Sequence, residues 1–81
     1  MAKYVLFYHP LHADTKRAER LLQRYNVKIR LADVTATGIS SYILKDMGIS
    51  ELPALCMVSG RRYKVYEGIE EIQDFVMKLI E

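Results

Sequence analysis

Histidine and carboxylate side chains crowd one short stretch of this chain. His9, His12 and Asp14 lie within six residues, in the segment His-Pro-Leu-His-Ala-Asp-Thr. Imidazole nitrogens and carboxylate oxygens can bind a transition metal, and they can also transfer protons. The His-x-x-His spacing is not diagnostic of a metal site, and the sequence offers no second group of ligands. The sequence also shows no spacing that would place a nucleophile beside His12. We therefore expect a solvated loop with no metal, no cofactor and no catalytic residue.

A single cysteine, Cys56, is the other candidate for chemistry. One cysteine cannot form an internal disulfide or a zinc cluster, and no export signal is visible, so we expect a reducing compartment and a cytoplasmic protein. The flanking residues Leu55 and Met57 predict an interior strand. A cysteine there behaves as a small hydrophobe, so Cys56 is predicted to be buried and slow to react.

The histidine-rich stretch lies between a predicted strand and a predicted helix. Residues 4–8 are apolar at every position, which is typical of a central strand covered on both faces. After Pro10, apolar side chains at i, i+3, i+4 and i+7 predict an amphipathic helix from about Asp14 to Asn26. Asp14 is the expected N-cap, because its carboxylate can accept a free backbone N–H at the positive end of the helix dipole.

Three more strands and two more helices follow. Val27, Ile29 and Leu31 alternate with Lys28, Arg30 and Ala32, which predicts a half-buried strand. A short helix carrying Ile43, Leu44 and Met47 comes next and is closed by Gly48. It is followed by a predicted hairpin, with strands over 54–58 and 62–66 and a Ser59-Gly60 turn. The last predicted element is a helix over 69–80, whose apolar stripe is Ile69, Ile72, Val76, Leu79 and Ile80. The order βαβ-α-ββα predicts an α/β fold, in which a four-stranded mixed sheet has helices on both faces.

Two segments resemble the thioredoxin fold in its short glutaredoxin-like form. Residues 7–22 align without a gap on the glutaredoxin pattern aromatic-x-x-Pro-x-Cys-x-x-Cys-x-x-Ala-x-x-Leu-Leu. Residues 48–55, Gly-Ile-Ser-Glu-Leu-Pro-Ala-Leu, resemble the family's Gly-Ile-x-x-(hydrophobic)-Pro-x-(hydrophobic) segment, whose proline is cis. The resemblance covers nearly the whole chain and implies one thioredoxin/glutaredoxin-like domain over residues 1–81, with the bond before Pro53 in the cis form.

The chain departs from the family at its redox motif. His12 and Thr15 occupy the two cysteine positions, so that Cys-x-x-Cys becomes His-Ala-Asp-Thr, and neither side chain can attack a disulfide by thiol exchange. His9 replaces the lysine ahead of the motif. The family's Gly-Gly-x-Asp-Asp segment becomes residues 67–71, Glu-Gly-Ile-Glu-Glu, with one glycine fewer. These departures argue against an enzyme with dithiol chemistry and against glutathione binding.

Peptide binding needs no cysteine. In the family, the backbone beside the cis-proline pairs with an extended peptide, and that capacity could survive the loss of redox chemistry. We therefore predict a redox-inactive module that binds another protein or an extended peptide, or serves in assembly. The other interpretation is that Pro53 only shapes its turn. The predicted contact residues are His9, His12, Asp14, Thr15, Leu52 and Pro53. The alternative function is a relative of the thiol–disulfide oxidoreductases that acts through Cys56 or through a partner's thiol.

The charge distribution raises a third possibility. Residues 1–40 contain seven Lys and Arg against three acidic residues, a balance of +4, whereas residues 41–81 contain five against seven, a balance of −2. The first helix carries Lys16, Arg17, Arg20 and Arg24. Such a face is either simply solvated or a surface for a polyanion, such as a nucleic acid, or for an acidic protein. The longest apolar run, residues 4–8, is far too short to span a membrane, so no membrane partner is expected.

Overall fold

The computed structural model describes residues 3–36 and 38–80. The elements occur in the predicted order βαβ-α-ββα. They are β1 (Lys3–Tyr8), α1 (Asp14–Arg24), β2 (Ile29–Asp33), α2 (Gly38–Asp46), β3 (Ala54–Ser59), β4 (Arg62–Glu67) and α3 (Gly68–Leu79).

The four strands form one mixed sheet in the order β2-β1-β3-β4. β1 is parallel to β2, whereas β3 is antiparallel to both β1 and β4. The uninterrupted apolar run of β1 therefore lies in the interior of the sheet, as predicted, because both of its faces must be covered by other elements.

Helices cover both faces of the sheet, which confirms the predicted architecture. α1 and α3 pack on one face, where the buried residues are Leu6, Ala18, Leu22, Val27, Leu55, Ile72, Phe75 and Val76. The other face carries a smaller core of Phe7, Ala54 and Cys56, against which Leu44 of α2 and the following residues Met47 and Ile49 pack. Burial of apolar surface on two faces is the main source of stability in a chain of this size.

Two helices end in the same way. In α1 the N–H of Val27 donates to the carbonyl of Leu22 at 2.9 Å, across Asn26, whose φ is +60°. After α2 the N–H of Ile49 donates to the carbonyl of Leu44 at 2.9 Å, across Gly48, whose φ is +70°. Both are Schellman motifs, in which a left-handed residue stops the helix and an apolar residue follows it into the core. Both predicted helix ends are confirmed.

Several predictions about side-chain burial, and one about a hairpin loop, were wrong. Leu31 is 50% exposed, because β2 is an edge strand and has no helix over this position. Leu79 and Ile80 are 48% and 54% exposed at the end of α3, and Phe75, which the stripe did not include, is buried instead. The hairpin loop is Gly60-Arg61 rather than Ser59-Gly60, since the register pairs Ser59 with Arg62.

Candidate functional site

The sheet register brings the two predicted site segments to one edge. β1 ends at Tyr8 and β3 begins at Ala54, and the antiparallel pairing sets Phe7 opposite Ala54. The segment after β1 and the segment before β3 therefore leave the sheet at the same end. We call them the tip, residues 9–15, and the proline loop, residues 50–53.

The carbonyl of His9 organises the tip. It accepts the N–H of His12 at 3.0 Å and the hydroxyl of Thr15, also at 3.0 Å. The N–H of Leu11 donates to Nδ1 of the same His9 residue at 3.1 Å. Thr15 is buried, at 7% exposure, so its hydroxyl needs a partner within the protein and finds it in this carbonyl. Thr15 is therefore a structural hydrogen-bond donor.

The start of α1 is capped by His12. Nδ1 of His12 accepts the N–H of Asp14 at 3.1 Å, and the carbonyl of His12 accepts the N–H of Thr15 at 3.2 Å. The prediction that Asp14 is the N-cap was wrong, because the helix begins at Asp14 itself and Ala13 takes the N-cap position. The carboxylate of Asp14 contacts the guanidinium of Arg17 at 3.3 Å, one turn along the helix. Asp14 thus lies at the positive end of the helix dipole without capping it.

Both imidazoles use their Nδ1 atoms to accept backbone N–H groups. In a neutral imidazole this leaves the proton on Nε2, so each ring keeps one hydrogen-bond donor that its Nδ1 contact does not use. Among the described residues, no three His, Cys, Asp or Glu side chains come together in an arrangement that could hold a metal ion. The tip can therefore offer hydrogen-bond donors and acceptors to a partner.

Asp33 is a further charged group beside the tip. It ends β2 opposite Tyr8, and the N–H of Val34 donates to the carbonyl of Tyr8 at 3.0 Å. The hydroxyl and the N–H of Thr35 both donate to the Asp33 carboxylate, at 2.6 Å and 2.8 Å. These two hydrogen bonds hold the pKa of Asp33 below its ordinary value, and the nearby His9 acts in the same direction.

The proline loop is closed by the start of α3. The Leu52–Pro53 peptide bond is cis. Pro53 is fully buried, and its carbonyl accepts the N–H of Gly68 at 2.8 Å. The side chain of Leu52 is half-buried and packs against the core on the α2 face of the sheet.

Glu67 holds the other half of the proline loop. One of its carboxylate oxygens, Oε1, accepts the N–H of Ser50 at 2.6 Å and the N–H of Glu51 at 3.1 Å, while the Ser50 hydroxyl is at 3.4 Å. The hydrogen bonds from these two backbone N–H groups lower the pKa of Glu67 below its ordinary value. The side chain of Glu67 therefore occupies two backbone N–H groups of the loop.

In one residue of the proline loop, the backbone N–H and carbonyl take no part in these hydrogen bonds. The N–H groups of Ser50 and Glu51 bind Glu67, and the carbonyl of Pro53 binds Gly68. The N–H and carbonyl of Leu52 form no hydrogen bond with any other described residue. A free N–H and a free carbonyl are the two groups that main-chain pairing with an extended backbone requires.

The tip also contains an exposed apolar side chain. Leu11 is 89% exposed, although its N–H is held by His9. Leu11 therefore adds an exposed apolar side chain to the tip, beside the polar groups of His9 and His12. The sequence predictions missed both Leu11 and Glu67. A leucine between two histidines in a turn was the available signal for Leu11, and the departure from the family's glycine pair was the signal for Glu67.

Cys56 lies in the core on the α2 face and is 2% exposed. Burial raises the pKa of its thiol above the ordinary value. The prediction that this cysteine is buried is confirmed. A raised pKa reduces the thiolate that disulfide exchange requires, and burial prevents a substrate from reaching it.

Comparisons with solved structures identify the fold. Thioredoxin O2 from Arabidopsis thaliana, in its oxidized state, is 15% identical with a TM-score of 0.69, and the match covers 99% of this chain and 75% of that one. Glutaredoxin from Brucella melitensis is 16% identical with a TM-score of 0.65, over 96% and 82% of the two chains. Chloroplastic thioredoxin z is 15% identical with a TM-score of 0.58, over 99% and 79%.

The predicted thioredoxin-like fold is therefore confirmed. No model of a protein family matches the sequence, and a search of curated proteins gives no match either. The likeness at these identities concerns the fold. None of the helices in residues 3–36 and 38–80 has the length and apolar character needed to cross a membrane.

Proposed function

We propose that this protein is a redox-inactive thioredoxin-like module that binds an extended segment of another protein. The contact surface consists of the tip and the proline loop. The observation that carries the proposal is the pairing-competent main chain of Leu52, at the sheet end from which the tip with its exposed Leu11 also extends. We further propose a cytoplasmic location, which the single buried cysteine favours.

The proline loop provides a short but well-fixed site for main-chain pairing. Because Glu67 and Gly68 hold the residues on both sides of Leu52, this residue is fixed in place before a partner arrives. A partner strand can then form up to two hydrogen bonds with Leu52 without having to order the loop. Fixing a binding segment in advance removes part of the entropic cost of association.

The tip provides the contacts that would give affinity and selectivity. Leu11 can bury most of its side chain against an apolar residue of the partner, and burial of a whole leucine side chain is worth about 1.5–3 kcal/mol. The Nε2 groups of His9 and His12 add hydrogen-bond donors. An apolar anchor with polar neighbours is the usual composition of a protein–protein contact.

Two features argue against thiol–disulfide exchange as the function. The positions of the two family cysteines hold His12 and Thr15, and Thr15 is committed to the His9 carbonyl. The one thiol in the chain, that of Cys56, is buried and has a raised pKa. The alternative, an oxidoreductase that uses Cys56 or a partner's thiol, would be supported by any turnover above buffer in an insulin-disulfide or mixed-disulfide reductase assay. We expect none.

Peptide selection tests the proposed surface. A library of unstructured peptides displayed on phage would be selected on the immobilised protein, and the tightest peptide would be synthesised and titrated by calorimetry. Leu11→Ser should weaken its binding about tenfold, which corresponds to about 1.4 kcal/mol. His12→Glu should also weaken binding, because it makes the side chain negative and removes the imidazole N–H donor.

A matched control uses a second, highly exposed side chain. Tyr42 is 73% exposed and belongs to α2, which packs on the opposite face of the sheet from α1 and α3. Tyr42→Ser removes a comparable surface outside the tip and the proline loop and should leave the affinity within about twofold. Equal losses with Leu11→Ser and Tyr42→Ser, or unchanged binding with both tip variants, would refute the proposed surface.

A further inference from the structure

A groove between α1 and α3 has a cationic wall. It encloses about 280 Å³ and is lined by Arg17, Arg20, Leu21, Arg24, Ile69 and Gln73. The three arginines follow one side of α1 at positions i, i+3 and i+7, which places them in a row. Among the described residues, no acidic side chain lines the groove.

Two of the three guanidinium groups are free of ion pairs within the described part of the chain. Arg17 contacts the carboxylate of Asp14 at 3.3 Å, but Arg20 and Arg24 have no carboxylate within salt-bridge distance there. All three residues are exposed. A row of unpaired guanidinium groups on one wall attracts anions and can bind carboxylates in a bidentate manner.

The floor of the groove is apolar. Leu21 and Ile69 are half-buried and pack against the core between α1 and α3, so that each leaves part of its side chain open to the groove. Gln73 adds one amide group, a donor and an acceptor, on the α3 side. The groove therefore combines an anion-binding wall with a surface that favours contact with an apolar side chain.

We propose that this groove binds a peptide in which acidic and apolar residues alternate in short blocks. Its carboxylates would pair with Arg20 and Arg24, while its apolar side chains would contact Leu21 and Ile69. A nucleic acid fits less well, because none of the described side chains that line the groove is aromatic and could stack on a base, and the net charge of the chain is only +2. The groove adjoins the tip at the Arg17–Asp14 contact, but the proposal does not depend on the function proposed for the tip.

Fluorescence anisotropy with a defined probe tests this site. The probe is a labelled peptide of the block Glu-Glu-Leu repeated four times, compared with Gln-Gln-Leu and Glu-Glu-Gly repeats of the same length and with a thymidine oligonucleotide. Binding of the Glu-Glu-Leu peptide should exceed that of either other peptide, because each of these lacks one of the two groups that the groove recognises. It should also weaken as salt is added, since the carboxylate–guanidinium pairs are exposed to solvent.

A charge-matched pair of variants locates the binding. Arg20→Glu with Arg24→Glu should weaken the Glu-Glu-Leu peptide about tenfold. The control is Lys28→Glu with Lys45→Glu, which changes the net charge equally but lies outside the groove. Arg24 and Lys45 are each the basic residue in the last turn of their helix, so both double variants place an acidic residue at a helix C-terminus. The control should change the affinity less than twofold, and thermal melts would verify that both variants fold.

Three outcomes would overturn the proposal. The first is no binding of the Glu-Glu-Leu peptide at millimolar concentration. The second is an equal loss in both double variants, which would mean that only net charge matters. The third is that the oligonucleotide binds as tightly with the same dependence on Arg20 and Arg24, in which case the groove is a nucleic-acid surface.

Discussion

The tip and the proline loop share one end of the sheet but are held in opposite ways. Every hydrogen bond that shapes the tip joins residues no more than six positions apart, from the Leu11–His9 pair to the Thr15–His9 pair. The proline loop depends on Glu67, which lies 16 and 17 positions from the residues that it binds. The tip is therefore a local structure and the loop is a tertiary one.

This difference has a functional consequence. A self-contained turn can exchange its side chains without losing its shape. The position of Leu52, in contrast, depends on the contacts that its neighbours make with the end of β4 and the start of α3. We therefore expect substitutions in the tip to alter binding with little loss of stability, and substitutions that support the loop to alter both.

The largest effect is expected for Gly68→Ala. Gly68 has φ at +80°, where an alanine costs about 1–2 kcal/mol, and the added Cβ would lie 2.8 Å from the carboxylate of Glu51. The free energy of unfolding, measured by urea denaturation, should fall by at least this amount. Gly48→Ala is the control, because Gly48 has φ at +70° with no atom within 4 Å of the added Cβ. If the contact with Glu51 matters, adding Glu51→Ala to Gly68→Ala should bring the loss down to that of Gly48→Ala.

Glu67→Gln should produce the next largest effect, about 1 kcal/mol at neutral pH. The variant loses the charged acceptor for the N–H groups of Ser50 and Glu51. Since the folded-state pKa of Glu67 is lowered, its contribution is complete above the ordinary glutamate pKa of about 4.3 and is lost as the pH falls through the lower folded-state value. The difference between wild type and variant should therefore shrink in acid. Glu70→Gln, at an exposed position in the first turn of α3, is the control, and a difference independent of pH would refute the role of Glu67.

Thr15→Val should cost less, about 0.5–1 kcal/mol. The substitution keeps the volume and the branching of the side chain but removes the hydroxyl that donates to the His9 carbonyl. That carbonyl retains the N–H of His12 as a donor, so it is not left without a partner. Because the tip is local, amide resonances of the proline loop should not move in NMR spectra of the variant. Shifts at Ser50 and Glu51 as large as those in the tip would contradict the separation of the two regions.

His12→Glu should have the smallest effect on stability, within about 0.5 kcal/mol. The new carboxylate can accept the N–H of Asp14 in place of Nδ1, at the positive end of the helix dipole. His12→Leu, which has no acceptor, should lose about 0.5–1 kcal/mol, the usual cost of a missing helix cap. Equal melting temperatures for both variants would show that the His12 cap contributes nothing.

The same contrast explains what the sequence could predict. The central position of β1 and the helix ends at Asn26 and Gly48 follow from short patterns, an unbroken apolar run and residues that tolerate positive φ. The exposure of Leu31 does not, because it depends on which strand lies at the sheet edge. The N-cap of α1 was assigned to Asp14 because carboxylates usually cap helices. In the structure, Nδ1 of His12 accepts the free N–H of Asp14.

The candidate site likewise has features that short sequence patterns predict and features that depend on tertiary contacts. The resemblance, which rests on short motifs, predicted that the tip and the proline loop lie side by side. The strand register sets both at one end of the sheet. The role of Glu67 could not be predicted, because no local pattern links it to residues 50 and 51. The availability of the Leu52 main chain is likewise visible only after the partners of its neighbours are known.

Hydrogen exchange at the amide of Leu52 tests the central claim most directly. In the free protein this N–H lacks a partner among the described residues, whereas the adjacent N–H of Glu51 is held by Glu67. NMR-detected exchange should therefore be faster at Leu52 than at Glu51. On saturation with the selected peptide, exchange at Leu52 should slow at least about tenfold, because the partner's backbone then occupies the N–H. An unchanged exchange rate at Leu52 in the saturated complex would show that the peptide does not pair with the proline loop, and the proposed binding mode would be wrong.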